Sequence, residues 1–426
     1  MASNARHSTA RDPAAPDARA SALDARELRW LLAARGLRAF GDGYVSLLLP
    51  IYLLSLGYAP LDVGMLATAT LLGSGMFTLV VGLQAHHFRG RTLLIAAAAL
   101  MTATGVSFAS ITDFWPLLII AIVGTLNPSS GDVSVFLPLE HSMLAQAATE
   151  RMRTAWFAQY SLVGALLAAA GALCAGMPQW LALQGVPMHA AYQAMFVLYA
   201  LIGVACAACY RRLPVRPADS SVTRSAPLRE SRRVVVTLAA LFSVDAFAGG
   251  LIVQSMLALW LFQRFALSPA TAGVIFFWTG VLSAFSYLVA VRIASRIGLV
   301  YTMVFTHLPS SVLLILVPFA PNLAACIGLL LMRSALSQMD VPTRSAFVMS
   351  VVPPHERAAA ASVTSVPRSL AAASSPLLAG YLLGLSTFGW PLIAAGALKI
   401  VYDLLLLARF GGGSIHRNVR PPPPIQ

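Results

Sequence analysis

Twelve runs of apolar residues, each close to the length that crosses a lipid bilayer, dictate what this chain can become. They cover about residues 35–56, 61–84, 92–111, 114–138, 154–176 and 190–210, then 234–262, 269–291, 299–319, 322–349, 358–384 and 389–409. A spanning helix needs roughly 20 such residues. Backbone in hydrocarbon must satisfy its own hydrogen bonds, so runs of this length predict helices. The expected fold class is an all-α polytopic membrane protein with twelve transmembrane helices. Only 11% of the residues are charged, against about 25% in soluble domains, which removes the soluble classes.

The charges that remain are strongly basic, with a net +13. They stand between the apolar runs rather than on a helical face, so a nucleic-acid partner is not expected. The loops 57–60, 112–113, 177–189, 263–268, 320–321 and 385–388 hold one arginine, Arg264. On the other side stand Arg89, Arg91, Arg151, Arg153, seven arginines of the segment 211–233, Arg292, Arg296 and Arg357. Cytoplasmic loops collect Lys and Arg, so both termini are expected in the cytoplasm and the protein in the cell's inner (plasma) membrane. The chain thus divides into a disordered tail 1–27, a six-helix bundle 28–210, a basic connector 211–233, a second bundle 234–410 and a proline-rich tail 411–426. The first residues lack the apolar core of a signal peptide. Cys206 and Cys209 have the spacing of a redox pair, but within an apolar run they read as small packing residues.

The second half echoes the first. Asp42 and Asp245 stand 203 residues apart, Asp132 and Asp340 208 apart, and Glu150-Arg151 and Glu356-Arg357 206 apart. Matches in order within equivalent runs favour two six-helix halves related by duplication. Asn127-Pro128 lies inside the fourth run and should open its hydrogen-bond ladder about one turn before Asp132, since proline has no N–H to give.

A charged side chain at the bilayer centre costs about 2.5–3.5 kcal/mol on insertion scales, so each one needs a reason. Asp42, between Gly41 and Gly43, either pairs with Arg35 or Arg38 or binds a proton or cation at the seam between the halves. Asp245 has no charged residue within ten positions on its own run, which favours a functional carboxylate. Asp340 shares a helix face with Arg333 and Arg344, as a salt-bridged latch or a substrate site. Arg368, after Pro367, either attracts an anionic substrate or holds a carboxylate. Lys399 and Asp403, four apart, should neutralise each other, and His307 should hydrogen-bond locally. Glu140 with Arg151 or Arg153, and Glu356 with Arg344 or Arg357, read as gating clusters at the helix ends. No metal-ligand spacing, phosphate loop or catalytic triad is present, so neither a cofactor nor an enzyme is expected.

Twelve helices, a basic central connector, cytoplasmic termini and duplicated halves together resemble the major facilitator superfamily of secondary transporters, over about residues 28–410. That family carries a glycine, then Asp-Arg, then Gly-Arg between its second and third helices. Here the loop runs from Gly82 to Arg91; its glycine and final Gly90-Arg91 are kept, while His86-His87 stand where Asp-Arg belongs. The second-half copy, Ser295-Arg296-Ile297-Gly298, also lacks the acid. The resemblance implies a rocker-switch transporter that works as a monomer around a central cavity lined by the first, fourth, seventh and tenth helices. Asp42, Asp132, Asp245 and Asp340 lie on those four, with Asn127, Arg333 and Arg368 beside the same pathway. Arg89, Arg91, Arg151, Arg296, Arg344 and Arg357, with Glu140 and Glu356, would gate it. The leading expectation is proton-coupled export of a small organic or amphipathic compound. The alternative is a proton-coupled importer or facilitator of a metabolite anion, and the third reading is a receptor or scaffold that moves nothing.

Overall fold

The computed structural model describes residues 15–84, 89–129, 134–147, 150–214 and 228–411, with a few side chains inside these spans left out. The first half contains α1 (Ala15–Ser55), α2 (Pro60–Gln84), α3 (Gly90–Ser110), α4 (Phe114–Val123), α5 (Phe136–Ala147), α6 (Glu150–Leu173), the short α7 (Met177–Leu183) and α8 (Met188–Arg211). The second contains α9 (Arg232–Leu251), α10 (Gln254–Phe265), α11 (Pro269–Ile297), α12 (Leu299–Leu316), α13 (Leu323–Ser337), α14 (Asp340–Val351), α15 (Arg357–Leu385) and α16 (Trp390–Phe410). Twelve transmembrane passages form two six-helix bundles, with α7 lying in a loop. Helix α1 begins at Ala15, inside the segment expected to be a disordered tail. The stretch 18–29 is rich in Ala, Leu, Arg and Glu, the residues that lose least on entering a helix.

Three passages are broken. The fourth stops at Val123 and resumes at Phe136, the seventh is interrupted at Ile252-Val253, and the tenth at Gln338-Met339. The fourth breaks a turn earlier than Asn127-Pro128 suggests. The α3 residue Thr104 presses on Gly124, where a Cβ would stand 2.6 Å from its hydroxyl. Thr104 Oγ1 then accepts the freed N–H of Thr125 at 3.3 Å. Beyond it, Asn127 Oδ1 accepts from Ser129 N and Oγ at 3.0 and 2.7 Å, a side-chain turn that competes with helix. Among the described residues nine helical stretches are long and apolar enough to cross a bilayer. The other three passages are the split fourth and tenth and the 29-residue α15, whose arginine, serines and prolines lower its hydropathy.

The start of α1, the end of α16 and the helix ends that flank the connector, Arg211 of α8 and Arg232 of α9, lie at one end of the bundles, called here the terminal face. At the other end the halves are sewn together along two seams, α2 against α15 and α6 against α11. A Cβ on Gly64 would meet Pro376 O at 2.5 Å, and one on Gly273 would meet Ala172 O at 2.4 Å. Such approaches need glycine, the usual way helices pack where no hydrophobic drive separates protein from lipid. Pro376 cannot donate within α15, and its neighbour Leu377 gives its N–H to Thr68 Oγ1 across the seam at 2.9 Å. The broken passages also meet here: Ser255 N–H of α10 donates to Pro128 O at 3.2 Å. A separate core of Val235, Phe242, Met303, Phe347, Tyr402 and Leu406 fills the second half toward the terminal face.

Candidate functional site

The second half encloses a cluster of charges that the sequence scatters over four passages. Asp245 stands on α9. Its Oδ1 accepts from Lys399 Nζ of α16 at 2.7 Å and its Oδ2 from Arg344 Nη2 of α14 at 3.0 Å. Arg344 also donates to Asp340, one turn earlier on α14. His307 of α12 places Nδ1 3.0 Å from both oxygens of Asp403. Its Nε2 lies 3.3 Å from Lys399 Nζ and 3.7 Å from Asp245 Oδ1. All six residues are buried. Removing one partner of such a pair costs about 3–5 kcal/mol, because the other charge is left without water or a counter-ion. The cluster therefore holds four passages to one arrangement only while its charges match.

The cluster forms one wall of a cavity of about 390 Å³ at mid-depth between the bundles. Asp245, His307, Asp340, Arg344 and Lys399 face it, joined by Arg333 of α13 and Arg368 of α15. The first half contributes mainly small or apolar side chains, Leu71, Ala165, Ala168 and Ala169, with Ser129 from the broken fourth passage. Four permanent cations thus face two carboxylates among the described lining residues. Arg344 and Lys399 are spent on those carboxylates. Arg333 makes no ion pair with a described residue, and its Nε is buried without a hydrogen-bond partner.

The first half has a charge cluster of its own, and it turns away from the cavity. Arg38 of α1 pairs with Glu140 of α5, which also accepts from the hydroxyls of Tyr160 and, at 2.6 Å, Tyr210. The Arg38 guanidinium lies 4.1 Å from the Phe136 ring centroid. Asp42 accepts from Tyr199 Oη at 3.4 Å, and the same hydroxyl donates to Thr125 O at 3.1 Å. Each half thus carries a buried ion pair between its first and fourth passages, with the charges exchanged: Arg38–Glu140 in one, Asp245–Arg344 in the other.

Several expected pairings are corrected. Lys399 binds Asp245 rather than Asp403, because α16 turns its lysine toward α9 and its aspartate toward α12. His307 bridges these charges instead of bonding locally. Arg38 goes to Glu140 and not to Asp42; the side chain of Arg153, also expected beside Glu140, lies outside the described residues. Glu356 meets neither Arg344 nor Arg357: it accepts from the Ser231 hydroxyl and from the N–H groups of Arg229, Glu230 and Ser231 at 2.8, 3.0 and 3.1 Å. Arg357 instead donates to Val352 O at 3.4 Å. Asp42 does not line the cavity. Asn127 is buried with its Nδ2 unpartnered, beside the fourth-passage break. Arg89 and Arg296 are exposed at the terminal face and Arg91 is half-buried there. Asp132, the His86-His87 pair and the side chain of Arg151 lie outside the described residues. The residues that spacing missed are His307, Lys399 and Asp403. Their signal was available: a single lysine in the whole chain, set in an apolar helix, has to meet an acid, and Asp245 lacked a partner on its own helix.

The sequence pattern of the Major Facilitator Superfamily matches residues 31–261, more than half of the chain. The chain belongs to the Major Facilitator Superfamily. Solved structures agree in fold over nearly the whole length. A bacterial homologue of the human lysosomal transporter Spinster, in an inward-facing and occupied conformation, aligns with a TM-score of 0.71 at 14% identity, covering 93% of this chain and 98% of that one. The nucleoside transporter NupG aligns at 0.68 and 13% identity, covering 90% and 99%. The D-xylose–proton symporter aligns at 0.65 and 15% identity, covering 89% and 96%. In sequence, the Saccharomyces cerevisiae membrane protein YJR124C is 24% identical over 91% of this chain and 94% of its own length. The superfamily assignment makes this chain a membrane-embedded secondary transporter of a small molecule. Its two bundles and mid-depth cavity are the framework that alternating access requires.

Proposed function

We propose that the protein carries a small organic anion across the membrane together with protons. The observation that carries this reading is the cavity's unbalanced charge. Among the described residues, Arg344 and Lys399 are matched by Asp340 and Asp245, while Arg333 lines the same space with no described carboxylate against it. A cation in low dielectric without a counter-ion is costly, and an anionic substrate supplies the missing charge. A cationic substrate would add to the excess, so the charge balance supports the anion reading over export of a cationic compound. The packed seams at the opposite face support access to the cavity from the terminal face, and the arginine distribution supports a cytoplasmic position for that face. Coupling to an inward proton gradient then gives uptake.

The test is a thermal-shift series on purified protein with benzoate, succinate and glycerol 3-phosphate, against the cation tetraphenylphosphonium. A specific ligand stabilises by mass action, about 2.7 kcal/mol at a hundred times its Kd. At least one anion is expected to raise the melting temperature, and Arg333→Gln to remove the shift. Stabilisation by the cation alone would overturn the reading.

A further inference from the structure

We infer that His307 is the proton-binding residue of the transport cycle and that it acts by releasing Lys399 into the cavity. The inference rests on the anion reading for its consequence, though not for its geometry. Nδ1 of His307 faces both oxygens of Asp403 at 3.0 Å, so its proton belongs there. Nε2 is then a lone pair, and Lys399 Nζ donates to it at 3.3 Å while donating to Asp245 Oδ1 at 2.7 Å. Lysine thus bridges a neutral imidazole and a carboxylate.

A proton arriving from cavity water has one place to bond on this ring, Nε2. Once it is there, two donors face each other and the Lys399 hydrogen bond is lost. The nearest acceptor for the new N–H is Asp245 Oδ1, 3.7 Å away, the oxygen that Lys399 holds. The imidazolium takes that oxygen, and Lys399 turns toward the cavity it already lines. Charge is conserved within the cluster. Before the step, three carboxylates face Arg344 and Lys399; after it, the same three face Arg344 and His307. The cavity gains the lysine's charge beside Arg333, so one proton bound in the cluster creates one more site of attraction for an anion.

Among the described residues no other group packed around the ring is poised for this exchange. From α16 come Lys399, Asp403 and Tyr402, the last edge-on to the imidazole with ring centroids 6.0 Å apart. From α14 come Asp340 and Arg344, already joined to each other, and from α9 Asp245. Helix α13 contributes Arg333, whose carbonyl accepts from Ser310 Oγ at 3.5 Å. The charges of α11, Arg292 and Arg296, lie at its terminal end. Anion and proton then bind cooperatively, and by linkage each raises the other's affinity equally.

Because Lys399 is the only lysine in the chain, protein labelled with 15Nζ-lysine gives a single side-chain ammonium signal, and no ligand is needed to read it. Between pH 8 and pH 5.5 the signal is expected to move from a paired toward a free position in the full-length protein, and to stay fixed in His307→Gln. A signal that stays fixed in the unaltered protein, or that moves equally in His307→Gln, overturns the proposal. The unaltered protein carries the first comparison, so the proposal stands or falls even where the variant folds poorly. A second arm measures the affinity of succinate. A rise of about tenfold per pH unit of acidification is expected where one proton is taken up, flat in His307→Gln. Loss of succinate binding in Arg333→Gln with the pH dependence intact in His307→Gln would sink the proton switch and leave the anion reading standing. Unchanged succinate binding in Arg333→Gln would sink the anion reading, while the lysine signal still decides the switch.

Discussion

Single side chains in this protein are tolerated only in matched sets. Glu140 illustrates the cost of breaking one. It neutralises Arg38 and accepts from two tyrosine hydroxyls in a site without water access. Glu140→Gln keeps an acceptor for the hydroxyls and removes the charge, leaving Arg38 unpaired. The expected loss is about 3–5 kcal/mol, read as a lower melting temperature in detergent. The double variant Arg38→Met, Glu140→Gln should lose less than the sum of the two single changes, as coupled partners do; additive losses would mean the pair contributes nothing. At this scale the sequence was half legible. The acids Asp42, Asp245 and Asp340 stand out because each is expensive in an apolar run. Their partners do not, because a partner reaches them from another helix. Spacing along one helix proposed Lys399 with Asp403 and Arg38 with Asp42, and in both cases the side chains face different neighbours.

Between elements, the clearest device is the clamp at the end of the connector. Glu356, just before α15, gathers three consecutive N–H groups and a hydroxyl at the start of α9. The Ser231 hydroxyl first, then the N–H of Arg229 and its neighbours, hold this carboxyl down to about 2 from an ordinary 4.5. A carboxyl depressed in the folded state contributes stability that is fully present above its ordinary value and is lost as pH falls through the folded one. Hydrogen exchange at the amides of residues 229–231, taken relative to the intrinsic rate at each pH, should therefore stay protected at neutral pH and lose that protection between about pH 4.5 and 2. In Glu356→Gln it should be fast already at pH 7, and equal protection there would contradict the clamp. The broken passages were unevenly readable. Asn127-Pro128 announces the break of the fourth, since proline removes a donor. The interruptions at Ile252-Val253 and Gln338-Met339 carry no proline at the break. They follow from packing, the first from the α10 terminus meeting Pro128 across the seam.

For the molecule as a whole, the twelve passages, the two-bundle architecture and the family were all legible, because bilayer thickness and hydrophobicity act along the chain. The distribution of function across the halves was not. Four acids spaced symmetrically suggested a symmetric pathway, yet among the described lining residues the charged wall comes from the second half and the first half supplies small or apolar side chains. Duplication gave both halves a buried pair between first and fourth passages. In the second half His307 and Lys399 join the pair at the cavity wall. The first half's cluster stands away from the cavity, and the second half's lines it.

The central claim is that anion and proton move together through this cavity. Proteoliposomes with the pH dye pyranine trapped inside test it most directly, with succinate, benzoate or glycerol 3-phosphate added outside without an imposed gradient. The account expects the interior to acidify on addition of a transported anion, with the response abolished in Arg333→Gln and in His307→Gln. An anion that enters without acidifying the interior, or acidification that survives both substitutions, would contradict it.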